Sequence, residues 1–142
     1  MYNINSTDDT KNFAKILVEK INTKSVILLQ GELGVGKTTL VKFLLEDLGC
    51  NQLVSSPSFN ILNIYESNIG EVFHFDLYRI HSTLELEEIG FFHALSSGVV
   101  IIEWPQLIAE HLSLMKEKNI ILVEMNFKDE ISDNRVYSIA EL

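Results

Sequence analysis

The stretch LLQGELGVGKTTLVKFLLEDLG, from Leu28 to Gly49, decides the fold of this chain. An apolar run breaks into three glycines within six residues, and a lysine, two threonines and an apolar helical pattern follow. Gly31–Thr38 matches the phosphate-binding pattern G-x-x-x-x-G-K-[ST]. Glycines let backbone N–H groups point inward as an anion-binding nest, and the following helix directs the positive end of its dipole there. The segment therefore predicts a site for a nucleoside triphosphate with Mg²⁺.

Most residues of this loop are predicted to contact the nucleotide. Lys37 is expected to place its charge on the β- and γ-phosphates, and the Thr38 hydroxyl is expected to ligate Mg²⁺. A chance match in a glycine-bearing turn is the alternative, but the strand pattern before the loop and the helical pattern after it favour a phosphate site. The residues predicted to bind the nucleotide are Gly31, Gly34, Val35, Gly36, Lys37, Thr38 and Thr39.

Two continuous apolar runs, SVILLQ (25–30) and GVVIIEW (98–104), are typical of strands buried on both faces. Segment 60–80 reads as two strands joined by a turn, and 119–140 contains a further strand pair. Helical spacing follows the phosphate loop. Helices are also predicted to begin at the capping residues Ser6 and Ser82 and at Pro105.

Strands and helices thus alternate around two strands with apolar residues throughout. We predict an α/β, P-loop NTPase-like three-layer fold, with a mainly parallel central sheet and antiparallel edge strands. Residues 1–142 are expected to form a single P-loop domain.

Two acidic residues end predicted strands. Glu103 follows a buried run, and strand alternation in VFHFDLYR puts His74, Asp76 and Tyr78 on one face. Ligands gather at the carboxyl ends of strands in open α/β sheets, and a phosphate site needs acids to hold metal and orient water. Asp76 and Glu103 are therefore the predicted catalytic residues, and Thr38 and Glu103 the predicted metal ligands. Which carboxylate contacts Mg²⁺ directly stays open.

Two neighbouring residues have open interpretations. A structural role is preferred over a catalytic role for His74, because a lone histidine in a strand is more often structural. Arg79 could contact phosphate or form a surface ion pair.

The composition limits the function classes. Twenty acidic residues against eleven basic ones give a formal net charge of −9. Such a surface repels phosphate backbones, so autonomous binding to nucleic acid or to an anionic membrane is not expected. The beginning of the sequence has no signal-peptide pattern and no apolar run is long enough to span a membrane. We expect a cytoplasmic protein.

A series of motifs between Gly31 and Gln106 resembles the TsaE family, the small P-loop ATPases of bacterial threonylcarbamoyladenosine (t6A) tRNA modification. In chain order the motifs are GELGVGKTTL, SSPSFN, HFDLYR, EEIG and IEWPQ. The family typically has Ser-Pro-Thr before an aromatic residue, whereas this chain has Ser56-Pro57-Ser58 before Phe59, which keeps a hydroxyl. The resemblance implies ATP and Mg²⁺ as cofactors.

The resemblance also assigns roles to further residues. It implies a switch-like role for Ser56 and Ser58, and the segments Ser55–Asn60 and Asp76–Gly90 are expected to leave strands beside the phosphate site. Thr10 falls where the family often has a threonine near the nucleotide. The remaining family positions, in the HxDxYR and Glu-Trp motifs, are His74, Asp76, Tyr78, Arg79, Glu103 and Trp104.

The function implied by the resemblance is that of an accessory ATPase. TsaE joins the TsaB–TsaD pair, in which TsaD transfers threonylcarbamoyl to adenosine 37 of tRNAs reading ANN codons. TsaE hydrolyses ATP, weakly alone, and reaches tRNA only through its partners. The alternatives are a small nucleotide or metabolite kinase and a nucleotide-gated binding module. A GTPase is disfavoured, because NFKD at 126–129 breaks the order N-K-x-D.

Overall fold

Seven strands form one mixed sheet in the computed structural model, which describes residues 1–142 with the exception of the Leu114 side chain. The strands are β1 (Tyr2–Ile4), β2 (Ser25–Gly31), β3 (Leu62–Ser67), β4 (Gly70–Asp76), β5 (Val99–Glu103), β6 (Asn119–Phe127) and β7 (Arg135–Glu141). Their order across the sheet is β1-β7-β6-β2-β5-β4-β3. The central neighbours β6, β2, β5 and β4 pair in parallel, and the outer neighbours pair antiparallel. This confirms the predicted fold class.

Helices cover both faces of the sheet. They are α1 (Thr7–Val18), α2 (Lys37–Asp47), α3 (Thr83–Glu88), α4 (Phe91–Ser97) and a 3₁₀ helix (Pro105–Met115). The predicted caps are present. The Ser6 hydroxyl accepts a hydrogen bond from the Asp9 N–H, and the Ser82 hydroxyl accepts one from the Glu85 N–H, both at 3.2 Å. Helix α2 ends just before Gly49, whose φ of 81° is the left-handed conformation that stops a helix.

The two faces of the sheet carry separate apolar clusters. In β2, Ile27 and Leu29 pack on the face of α1 and α2, whereas Val26 and Leu28 pack on the opposite face beside α4 and the 3₁₀ helix. Strand β5 alternates in the same way and is buried along its whole length. The prediction of strands buried on both faces is confirmed.

The structure differs from the sequence prediction in three local features. Helix α4 was not predicted; it follows Gly90, whose φ of 80° separates it from the predicted helix α3. The helix at Pro105 is a 3₁₀ helix. Strand β1 was not predicted, because its three residues are too short for a periodic signal and its order comes from pairing with β7. Among the described residues, no helix is both long and apolar enough to cross a membrane.

Strand register brings the predicted site residues to one edge of the sheet. Glu103, the last residue of β5, is paired with Leu29 of β2 on one side and with Asp76 of β4 on the other. Gly31 ends β2 and opens the phosphate-binding loop. The parallel strands therefore deliver two carboxylates and the loop to the same place.

Candidate functional site

The loop between β2 and α2 presents free backbone donors. Gly36 has a φ of 109° and occupies the N-cap position of α2. Among the described residues, no hydrogen bond is made by the N–H groups of Gly36, Lys37, Thr38 or Thr39. Because these four donors lie at the positive end of a helix, the loop has the features of an anion site.

Lys37 is the first residue of α2, at the end of this loop, and is largely buried. Its ammonium group donates to the carbonyl of Gly31 across 2.5 Å and lies 3.8 Å from the ring centroid of Trp104. Burial lowers the pKa of Lys37, and the charges of Glu103 and Asp76 oppose that shift. The lysine is therefore a partly desolvated cation between an aromatic face and two carboxylates.

Trp104 reaches the lysine through an uncommon backbone conformation. It follows β5 directly and has φ 58° and ψ 64°, in the left-handed region. Its indole also packs against the ring of Tyr78, with 4.9 Å between centroids. The conformation turns the chain sharply after Glu103, so that the indole lies over the loop.

Asp76 is held by groups from two different segments. Its Oδ2 accepts a hydrogen bond of 3.1 Å from the Ser58 hydroxyl, and its Oδ1 accepts from the Tyr78 N–H at 2.9 Å. The hydroxyls of Ser56 and Ser58 share a hydrogen bond of 2.6 Å. The serine pair predicted to belong to a switch thus contacts a predicted catalytic acid.

Glu103 is paired with a buried histidine. The Nε2–H of His74 donates to Oε2 of Glu103 across 2.6 Å, and both side chains are buried. His74 Nδ1 has no hydrogen-bond partner among the described residues. The predicted alternation along β4 is confirmed, since Phe73 and Phe75 belong to the apolar cluster on the opposite face. The contact supports a structural interpretation of His74.

A cavity of about 250 Å³ unites most of the predicted site. It is lined by Leu33, Gly34, Gly36, Lys37, Thr38, Thr39, Ser56, Ser58, Asp76, Glu103 and Trp104. Oxygen donors from Thr38, Asp76 and Glu103 suit Mg²⁺, which usually binds through one or two carboxylates together with substrate phosphates. Among the described residues, no group of three or more histidine, cysteine or acidic side chains is placed to hold a metal ion.

Some predicted nucleotide-binding residues lie outside this lining. The Thr10 hydroxyl donates to the Ser6 carbonyl in its own helix, at 3.5 Å. The Val35 side chain is in the core, and its N–H donates to the Glu32 carbonyl at 3.2 Å. Gly31 contributes its carbonyl to Lys37. A nucleotide contact by these three residues stays a prediction.

Arg79 has two predicted roles, of which contact with phosphate stays a prediction. Its guanidinium donates to the carbonyls of Ser58 and Phe59. It forms no ion pair with any described residue. Arg79 therefore ties the segment after β4 to the segment that carries the serine pair.

The prediction that both switch segments leave strands is wrong for Ser55–Asn60. This segment follows α2 and enters β3. It nevertheless lies at the site because β3 runs antiparallel to β4, so that β3 begins at the edge where β4 ends.

Comparison with known proteins shows the family. The family described as threonylcarbamoyl adenosine biosynthesis protein TsaE matches residues 4–136. The chain belongs to the TsaE family. TsaE proteins take part in t6A biosynthesis on tRNA.

Individual TsaE relatives are similar over most of the chain. The Rickettsia typhi protein is 36% identical over 140 residues, which cover 98% of this chain and 93% of the relative. The Bacillus subtilis protein is 37% identical over 108 residues, covering 74% and 66%. The crystal structure of Bacillus subtilis YdiB has a TM-score of 0.68 at 28% identity and covers 97% of this chain and 82% of that one.

Two residues that sequence reasoning missed contact the phosphate loop of this TsaE chain. The Tyr137 hydroxyl donates to the Val35 carbonyl across 2.6 Å, and the Arg135 guanidinium donates to the Gly34 carbonyl across 3.2 Å. Burial raises the pKa of Tyr137 to about 12, and the charge of Arg135 opposes that shift. Strand alternation was the only sequence signal that could have indicated these contacts. It places Arg135 and Tyr137 on one face of β7, but it does not predict which element packs against that face.

Proposed function

We propose that this chain is a Mg²⁺-dependent ATPase that acts with TsaB and TsaD in t6A formation on tRNAs reading ANN codons. The transfer of threonylcarbamoyl would be the task of TsaD. The observation that carries this proposal is the single cavity that joins four unpaired backbone N–H groups and Lys37 to two carboxylates.

ATP binding would follow from the loop geometry. The free donors of Gly36 to Thr39 suit phosphate oxygens, which gain charge-assisted hydrogen bonds there. The Lys37 ammonium contacts a neutral carbonyl and an aromatic face, and a phosphate would be a stronger partner. Binding would exchange weak contacts of a desolvated cation for strong ones.

Hydrolysis would depend on Glu103 and Asp76. Thr38 and Glu103 would hold Mg²⁺, which when bound neutralises charge on the phosphates. Glu103 is fixed by His74 and Asp76 is fixed by Ser58, so both carboxylates are oriented before a nucleotide enters. One of them would orient the attacking water and accept its proton.

A protein partner would complete the site. Phe59 is 91% exposed and Tyr78 is 64% exposed, and both lie in segments that contact Asp76 or its serine partner. These two side chains would contact the partner, because they are exposed beside the site. The net charge of −9 disfavours direct tRNA binding, so the partner would supply the RNA contacts and could present a basic surface. We expect this to take place in the cytoplasm, with residues 1–142 acting as one domain.

Reconstitution tests the proposal. Purified chain, ATP, Mg²⁺ and tRNA are combined with and without a TsaB–TsaD pair that lacks its own TsaE, and ATP hydrolysis and t6A are measured. Basal hydrolysis should be weak, TsaB–TsaD should raise it, and repeated t6A formation should require intact Lys37. Phosphoryl transfer to a nucleoside or sugar, with no response to TsaB–TsaD in either readout, would contradict the proposal and identify a kinase.

A further inference from the structure

Strand β7 contacts the phosphate-binding loop through two side chains on the same face. Arg135 and Tyr137 are two residues apart, and they donate to the consecutive carbonyls of Gly34 and Val35. These contacts join residues about one hundred positions apart in the chain. The loop is therefore held from outside by an element that the nucleotide-binding pattern does not include.

The contact with Tyr137 fixes the direction of a neighbouring donor. In a planar trans peptide the carbonyl and the next N–H point in opposite directions. Because the Val35 carbonyl points to the Tyr137 hydroxyl, the Gly36 N–H points away from Tyr137. That N–H is one of the four donors left without a partner. The hydroxyl therefore orients one donor of the anion nest.

The contact with Arg135 supports the preceding turn. The Gly34 carbonyl accepts from Arg135, and the Val35 N–H of the same peptide donates to Glu32. The guanidinium also lies over the Phe127 ring, 5.5 Å from its centroid, which limits its movement. The Gly34–Val35 peptide is thus held at its carbonyl and at its N–H, whereas the Val35–Gly36 peptide is held at its carbonyl alone.

Tyr137 is itself fixed by packing. The side chain is fully buried, and its ring meets that of Phe13 edge-on with centroids 5.3 Å apart. A Cβ atom at Gly36 would lie 2.7 Å from the Tyr137 hydroxyl, so the hydroxyl occupies the space beside that glycine. The loop and the tyrosine fit each other closely, and a shift of one would move the other.

We propose that Tyr137 and Arg135 are positioning residues that keep the phosphate-binding loop in its anion-binding form, an inference that rests on the proposed ATP site. Neither side chain needs to touch the nucleotide. They lower the cost of ordering the loop when phosphate binds, which is a contribution to affinity through preorganisation.

Tyr137→Phe tests this with little change in shape, since the ring stays and only the hydroxyl is lost. Titration calorimetry with ATP and Mg²⁺ should show affinity reduced roughly 3- to 10-fold, the scale of one hydrogen bond. The kcat of hydrolysis at saturating ATP should stay within about twofold of wild type, because the carboxylates are untouched. Amide exchange in residues 33–37 of the free protein should become faster.

Ser25→Ala is the matched control for losing a buried hydroxyl. The Ser25 hydroxyl accepts from Asn22 and Asn119 at 2.8 Å, at the opposite end of β2 from the loop. This variant should lose stability but keep wild-type ATP affinity. Equal loss of affinity in both variants, or unchanged affinity in Tyr137→Phe, would overturn the inference.

Two further outcomes are decisive. If Tyr137→Phe does not fold, Arg135→Gln decides, with an expected 2- to 5-fold loss of ATP affinity, and unchanged affinity there rejects the inference. If the wild-type chain itself does not bind ATP, the proposed function fails and the inference fails with it. Wild-type binding combined with unaffected variants rejects the positioning role alone.

Discussion

The two sides of the phosphate-binding loop are built in different ways. On the side of β6, β7, α1 and α2, here called the packed flank, Leu40, Val35 and Tyr137 have no exposed surface. On the other side are residues 51–60 and 77–90, here called the open flank. There Leu53 and Phe59 are each 91% exposed, and the polar contacts run from Ser58 to Asp76 and from Arg79 to backbone carbonyls.

The difference between the two flanks suggests that one supports nucleotide binding and the other supports catalytic turnover. The packed flank buries its apolar side chains without a ligand, so the phosphate loop is preformed. In the open flank, residues 51–60 leave Leu53 and Phe59 in water and are held mainly by polar contacts, whereas residues 77–90 are anchored by a few buried apolar side chains. Exposed segments with little apolar packing are typical of elements that open locally or become ordered on binding. We infer that phosphate affinity is built into the fold, whereas the groups around Asp76 are completed by a partner.

The largest expected effect is a loss of stability in the packed flank. Leu40→Ala removes a fully buried side chain of α2 and leaves a cavity in the core. The free energy of unfolding should fall by about 2–5 kcal/mol, measured by urea denaturation. A loss below about 1 kcal/mol would show that this flank is loosely packed and would remove the contrast.

The second-largest effect is expected on the rate of ATP hydrolysis, with ATP binding retained. Glu103→Gln keeps the shape of the side chain and removes its charge, so ATP hydrolysis should fall about 10²-fold or more. Calorimetry should still show ATP binding, because the loop is held by the packed flank. Wild-type turnover in this variant would move the catalytic role to Asp76, which Asp76→Asn would then test.

Affinity should depend on the loop lysine. Lys37→Ala removes a charge-assisted contact of about 2–3 kcal/mol, so ATP should bind roughly 30- to 150-fold more weakly with the fold intact. Lys42→Ala, at an exposed position of the same helix, is the charge-matched control and should bind normally. Unchanged affinity in Lys37→Ala would refute the phosphate site.

The smallest effect on stability is expected in the open flank. Phe59→Ser should change the free energy of unfolding by less than about 0.5 kcal/mol, since the ring is already in water. It should nevertheless reduce the stimulation of ATP hydrolysis by TsaB–TsaD. Ile131→Ser, at a 98% exposed apolar residue between β6 and β7, is the control. Equal stimulation in the two variants would remove Phe59 from the partner surface.

The sequence predicted the layers and the edge of the sheet at which the site lies. Glycine spacing before Lys37 predicted the loop, and apolar runs predicted β2 and β5, because these signals are local. Asp76 and Glu103 were each predicted to end a strand near the loop, and the structure confirms both strand ends. Their contacts with Ser58 and His74 depend on side-chain packing and were not predicted.

Long-range support was not predictable for a physical reason. Tyr137 lies in a segment that was correctly predicted as a strand, but its hydroxyl contact with Val35 depends on how β7 is placed beside β6. Strand β1 depends on the same placement, since Tyr2 pairs with Tyr137. Such contacts join elements distant in sequence, and period and composition report only on neighbours.

The hydrogen bond between Tyr137 and Val35 can form only late in translation, because the ribosome synthesises the two residues far apart in time. A ribosome makes Val35 a hundred and two residues before Tyr137. At ordinary rates of translation, that interval is roughly 5–20 s. During it the glycine-rich loop has left or is leaving the exit tunnel without its tyrosine, and the nascent chain should hold nucleotide more weakly than the finished protein. Competence to bind ATP would thus arrive late in translation, with the strand that completes the sheet beside β6.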